Sequence, residues 1–223
     1  MLRILFWKLG FEWANLLRIL NPRDEQRIYY FAFGANLSPE ILRQRRITVF
    51  DAFDYVLEDA ALRFSQSGFY RDHGYASADP APGEQVYGKM YLIRNRDARR
   101  MDYYEGVPFL HSHLKVVQQY RESAFYYYRA RLPAADLKPT QEYLDYLTVA
   151  YRDMAGVPEA YIAAMEATEV LDYFEPQTLT GKFVCLERWP AFLHPLLIRY
   201  ESICRSLVRL MWNSSMLTWM IKM

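Results

Sequence analysis

With 223 residues, 52% of them hydrophobic and 17% aromatic, the chain is long enough to bury a sizeable core and too apolar to be disordered. A net charge of +1 sets up no global field for nucleic acid, so no nucleic-acid partner is expected. Cys185 and Cys204 form neither a C-x-x-C pair nor a disulfide framework, which points to a reducing, cytoplasmic setting.

Residues 2–20 follow helical periodicity. Leu2, Leu5, Phe6, Leu9, Trp13, Leu16, Leu17 and Leu20 fall on one face, while Arg3, Lys8, Glu12, Asn15 and Arg18 fall on the other with some apolar spill-over. Those charges, and the lack of a small-residue cleavage site, argue against a secretory signal, and no run of eighteen apolar residues predicts a transmembrane helix. Asn21-Pro22 ends the helix, and a charged linker leads to a first strand over 28–33. Ser38 followed by Pro39 and Glu40 caps a helix to about 46.

Strand patterns follow over 50–59, part of 75–78 and 85–93. Asn95 reads as the cap of a helix over 96–104, with Gly106 just past its end where a left-handed residue is wanted. Two strands, 116–120 and 124–132, flank the polar Arg121-Glu122-Ser123. Tyr126, Tyr127 and Tyr128 read as part of a half-buried strand in preference to a base-stacking platform. Helices are expected over 140–154 and 158–167, and one or two more in the tail from 186, which is rich in Leu, Ile, Trp and Met. Strands first and helices later indicate an α+β domain around a curved or barrel-like sheet.

Two stretches could carry chemistry. Tyr30-Phe31-Ala32-Phe33-Gly34-Ala35-Asn36-Leu37 is a strand entering a glycine turn and a helix, whose free N–H groups can hold a carboxylate or a developing oxyanion. An ordinary tight turn would look the same. Met101-Asp102-Tyr103-Tyr104-Glu105-Gly106-Val107 places Glu105 at a helix C-terminus beside two tyrosines, where a raised pKa would suit a general base. A solvated helix-end glutamate is the plain alternative. His111 and His113 are two apart, but no third ligand accompanies them, so they read as surface or strand-edge residues, and no metal or cofactor is expected.

The first stretch resembles the hallmark Y-F-A-Y-G-S-N-L of the gamma-glutamylcyclotransferases, and the second resembles their L-D-x-x-E-G-V. His73-Gly74-Tyr75-Ala76-Ser77 and Pro82-Gly83-Glu84-Gln85-Val86-Tyr87-Gly88 resemble the segment between those motifs, and 143–147 with 156–161 resemble the closing helices. The resemblance covers roughly 28–170. It implies a small mixed β-barrel with flanking helices over 28–180, while the amphipathic extension at 1–27 and the helical one at 181–223 lie outside the resemblance.

It also implies a reaction: the α-amine of a small gamma-glutamyl compound attacks its own γ-carbonyl, giving 5-oxoproline and a free amine. By the same resemblance Glu105 is the catalytic glutamate, Tyr30, Phe31, Ala32, Phe33, Gly34, Ala35 and Asn36 belong to the substrate loop, and Tyr143 contacts substrate. Phe33 and Ala35 replace the usual tyrosine and serine, and Ser112 stands where a tyrosine is usual, which predicts a changed or weaker substrate preference. The alternatives are a non-catalytic ligand-binding or membrane-surface module on the same fold, or a cyclotransferase for a specialised gamma-glutamylated metabolite.

The two ends are mildly basic, +2 over 1–27 and +3 over 187–223. Packing of their apolar faces on each other or on the domain is the favoured expectation over attachment to an anionic membrane, because Glu12 and Glu201 dilute the positive charge.

Overall fold

The computed structural model describes residues 2–20, 26–68, 70–107, 110, 113–172 and 189–212. In chain order the elements are α1 (Leu2–Leu20), β1 (Arg27–Ala32), a 3-10 turn (Ala35–Leu37), α2 (Pro39–Gln44), β2 (Val49–Ser67) and β3 (Gly74–Arg94). They continue with α3 (Asn95–Tyr104), β4 (His113–Tyr120), β5 (Ser123–Ala130), α4 (Gln141–Arg152), α5 (Glu159–Glu166), a second 3-10 turn (Ala191–Leu193) and α6 (His194–Trp212). The fold is α+β around one mixed five-stranded sheet in the order β2-β3-β1-β5-β4.

The sheet is not closed, which corrects the barrel expectation. The strand β1 runs antiparallel to β3 and parallel to β5, but β2 and β4 remain unpaired edges. The reason is the bulk that lies between them. Tyr120 of β4 packs against Phe53 and Tyr55 of β2, with ring centroids 5.7 and 5.4 Å apart, so side chains fill the seam where a backbone ladder would need strands about 4.8 Å apart.

The strand β3 is continuous, where the sequence showed two separate patterns. Pro80, Pro82 and Gly83 fall in the gap between those patterns, yet all three lie inside the strand, beside a shift in the β2–β3 register. Asp59 adopts a left-handed conformation at a register shift, and Gly83, also left-handed, donates its N–H to Asp59 Oδ1 at 2.9 Å.

Alternation along β1 divides the core into two layers. Tyr30 and Ala32 face α2 and α3 with Leu42, Ile47, Met101, Tyr126 and Tyr128. Phe31 and Phe33 face the inside of the curled sheet with Leu57, Met90, Phe125 and Tyr127. The three consecutive tyrosines are therefore buried on both faces of the sheet, more deeply than the half-buried strand expected. The strands approach closely here: a Cβ on Gly88 would lie 2.3 Å from the Ala32 carbonyl oxygen.

The helices α1 and α6 pack on α3. Ile4, Trp7 and Phe11 of α1 and Cys204 and Val208 of α6 enclose Tyr103, whose ring stacks on Phe11 and Trp7. The buried face of α1 is thus Ile4, Trp7, Phe11, Ala14 and Asn15, not the leucine-rich stripe picked out by periodicity. Cys204 is buried, while Cys185 lies outside the described residues.

Candidate active site

The end of α3 and the turn after β1 are brought together from 69 positions apart. Gly106 is left-handed, as its position predicted, and the N–H groups of Gly106 and Val107 return to the carbonyls of Tyr103 and Asp102. That closure leaves Glu105 as the C-cap. The N-cap of α3 is Arg94, with Asn95 the first helical residue, so the expected Asn95 cap is displaced by one. Asp102 is fixed by Lys115 Nζ at 2.9 Å and by the Tyr128 hydroxyl at 2.6 Å, which ties the last turn of α3 to β4 and β5.

Three hydroxyls hold the turn. Tyr151 donates to the Phe33 carbonyl at 2.8 Å, Tyr146 to the Ala35 carbonyl at 2.6 Å and Tyr91 to the Leu37 carbonyl at 2.7 Å. The Gly34 carbonyl accepts from the Leu37 N–H at 2.9 Å. With its carbonyls engaged, the turn presents the N–H groups of Ala35 and Asn36, which meet no protein acceptor among the described residues.

The Glu105 side chain is 15% exposed and faces several donors. Arg45, the C-cap of α2, donates to Oε1 at 2.9 Å, and Asn36 Nδ2 donates to the same oxygen at 3.2 Å. His113 lies on the other side, Nε2 being 3.7 Å from Oε2. Its Nδ1 donates to the Glu105 backbone carbonyl at 2.9 Å, since a carbonyl can only accept. Burial pushes the Glu105 carboxyl up, but the Arg45 charge, then His113 and the Arg45 and Asn36 hydrogen bonds, outweigh it and hold the pKa below the usual value. This overturns the raised pKa expected from the sequence. The two neighbouring tyrosines point elsewhere, Tyr103 into the α1–α6 cluster and Tyr104 under the Arg45 guanidinium.

The Asn36 amide is buried and also donates to the Tyr30 hydroxyl at 2.6 Å. Its Oδ1 is buried without a protein partner among the described residues. Burial and the Glu105 charge hold the Tyr30 phenol protonated far above neutral pH. Tyr143 stands against the turn, its hydroxyl 3.2 Å from where a Cβ on Gly34 would sit.

Tyr30, Gly34, Ala35, Asn36, Tyr143 and Glu105 therefore converge. The side chains of Phe31 and Phe33 enter the inner layer, and Ala32 packs beneath the helices, so only their backbones adjoin the turn. Arg45 and His113 went unrecognised as site residues in the sequence. A cation at the end of α2 was the available signal for Arg45. His111 and Ser112 lie outside the described residues, and no metal-holding cluster of His, Cys, Asp or Glu occurs among those described.

Clefts of about 380, 350 and 490 Å³ open elsewhere, beside Tyr55 and Gln118, beside Phe53 and Arg121, and beside Tyr87 and Tyr161. None includes Glu105. Their acids, such as Glu58, Asp51 and Glu84, are exposed, whereas a half-buried carboxylate ringed by donors is the arrangement that chemistry requires.

No protein-family model matches the chain, and no curated protein matches it in sequence. Solved structures do match in shape. One titled gamma-glutamyl cyclotransferase aligns with a TM-score of 0.54 and 22% identity, over 78% of this chain and 99% of its own. The uncharacterized human protein loc79017 aligns at 0.55 and 21%, with the same coverage. YkqA from Bacillus subtilis aligns at 0.55 and 17%, over 70% of this chain and 60% of its own. At such identities the likeness establishes a shared fold.

Proposed function

Because the chain has the gamma-glutamyl cyclotransferase-like fold and sets Glu105 against the turn after β1, we propose that it cyclises a small gamma-glutamyl amino acid or amine to 5-oxoproline. The observation that carries this reading is the half-buried Glu105 carboxylate, held beside Asn36 and the open N–H groups of Ala35 and Asn36. In the reaction a bond forms between the substrate α-nitrogen and its γ-carbon, and the amide bond to the leaving amine breaks. No water is consumed. Glu105 takes the proton from the attacking nitrogen and returns one to the departing nitrogen. The N–H groups of Ala35 and Asn36 are the donors for the developing oxyanion, and Tyr143 orients the substrate. A tethered nucleophile has a high effective molarity, so positioning and a proton shuttle suffice.

The low pKa keeps Glu105 ionised at neutral pH, and the substrate ammonium takes the place of Arg45 against it. Replacement of the usual loop tyrosine and serine by Phe33 and Ala35 leaves the backbone donors in place and shifts the choice of leaving amine. Glu105→Gln keeps the shape of the side chain but removes the base, so 5-oxoproline formation from a panel of gamma-glutamyl compounds should fall by roughly 10²-fold or more. Wild-type turnover in that variant would overturn the mechanism.

One observation favours a second reading. The Arg45–Glu105 ion pair closes the carboxylate, as a non-catalytic ligand-binding module would also keep it. Calorimetric binding of gamma-glutamyl compounds without any 5-oxoproline would select that reading.

A further inference from the structure

The helix α1 is apolar on two opposite faces, and only one of them is buried. Ile4, Trp7, Phe11 and Ala14 are buried against α3 and α6. Leu2, Leu5, Phe6, Leu9, Trp13 and Leu20 form the other stripe, and all are exposed, Phe6 by 52% and Trp13 by 57%. Over 19 residues the stripe is about 27 Å long. The helix α6 repeats the pattern: Glu201, Cys204 and Val208 are buried, while Leu196, Tyr200, Ile203 and Leu210 point outward, preceded by Trp189 and Phe192. The two helices lie side by side, both burying their other faces in one cluster, with Lys8 Nζ of α1 donating to the Met211 carbonyl of α6 at 3.1 Å.

The charges decide what covers this surface. Glu12 and Glu201 are the only acids on the two helices, and neither faces outward. Glu12 pairs with Lys8 and Glu201 with Arg205, and the Glu201 side chain is fully buried. Arg3 and Arg199 are exposed. Packing of the ends on the domain, as the sequence favoured, therefore uses up the acids and one apolar face, and leaves a broad apolar surface with cations and, among the described residues of the two helices, no exposed carboxylate. A second copy laid on it would bring like charges together with no acid to pair them. Anionic lipid headgroups complement it, with Leu and Phe reaching the acyl boundary and Trp13 and Trp189 at the interface. No described helix is long and apolar enough to cross a membrane, so the helices would lie along the surface.

We propose that the outer faces of α1 and α6 dock this protein on an anionic phospholipid bilayer. The test is co-sedimentation of the full chain with phosphatidylcholine vesicles, with and without phosphatidylserine. The wild type is expected to pellet with the anionic vesicles, less so as salt rises and less with the neutral ones. Phe6→Ser with Trp13→Ser, and separately Arg3→Glu with Arg199→Glu, should each lower binding by roughly tenfold or more while the melting temperature holds. If the first variant loses its near-ultraviolet circular dichroism, the charge variant alone decides. Absence of binding to phosphatidylserine vesicles, or binding that the folded variants retain, would overturn the proposal. So would a lipid-free dimer that Phe6→Ser with Trp13→Ser dissociates, since it would assign the surface to a second copy.

Discussion

Glu105 accepts from Arg45 and Asn36 through one oxygen while His113 stands by the other, so its protonation is governed by neighbours that lie 60 and 69 positions before it and 8 after it. A general base works ionised, and kcat/KM falls as pH drops through its pKa in the free enzyme. Arg45 holds that pKa down. Replacing Arg45 by Met removes the positive charge, so the Glu105 pKa rises and the acid limb of the kcat/KM profile should move to higher pH. A limb that stays in place would assign the base to another group. The place of Glu105 at the end of α3 was legible in the sequence, but its charge state was not. Local sequence showed the helix-end dipole and the neighbouring tyrosines, and the opposing charges arrive on α2 and β4.

At the scale of elements, the turn after β1 owes its shape to carbonyl partners on α4 and β3. Tyr143, Tyr146 and Tyr151 share one face of α4 by helical spacing, so a tyrosine-rich face could be read from the sequence, but not the carbonyls it would meet. Glycines in this region differ in consequence. Gly88→Ala drives a Cβ to 2.3 Å from the Ala32 carbonyl, a backbone atom that cannot give way alone, and should destabilise by about 3 kcal/mol in urea unfolding. Gly34→Ala meets only the Tyr143 hydroxyl at 3.2 Å, which a small ring movement relieves. It should cost about 1 kcal/mol or less. Equal losses in the two variants would contradict the close strand approach described for β1 and β3.

Across the whole molecule, α1 and α6 brace the helix that presents Glu105. The Trp7 indole donates to the Tyr103 carbonyl at 2.8 Å, and Arg100 bridges Asn15 of α1 to the Arg45 carbonyl. The helix α1 therefore reaches the site through two buried polar contacts. Trp7→Ala should destabilise by about 3–5 kcal/mol, because it leaves a cavity in the cluster around Tyr103 and removes the indole hydrogen bond. For a chain of this size that lowers Tm by on the order of 10 °C in a thermal melt. A Tm unchanged by that substitution would mean that α1 is not part of the cooperative unit.

Helix existence, the Gly106 cap, the strand–turn–helix at 28–46 and the position of Glu105 follow from the sequence alone, because each rests on contacts within a few residues. Tertiary structure decided everything that depends on which surfaces meet. It left the sheet open, since Phe53, Tyr55 and Tyr120 hold the edge strands apart. It kept β3 whole through Pro80 and Pro82, since a register shift opposite Asp59 lets residues 81–84 pass without partners on β2. It chose the Trp7 face of α1 for burial over the richer leucine stripe, since Tyr103 and the carbonyl above it offered a ring to stack and an acceptor for the indole. Periodicity measures how apolar a face is, and burial goes to the face whose shape and polar groups find partners.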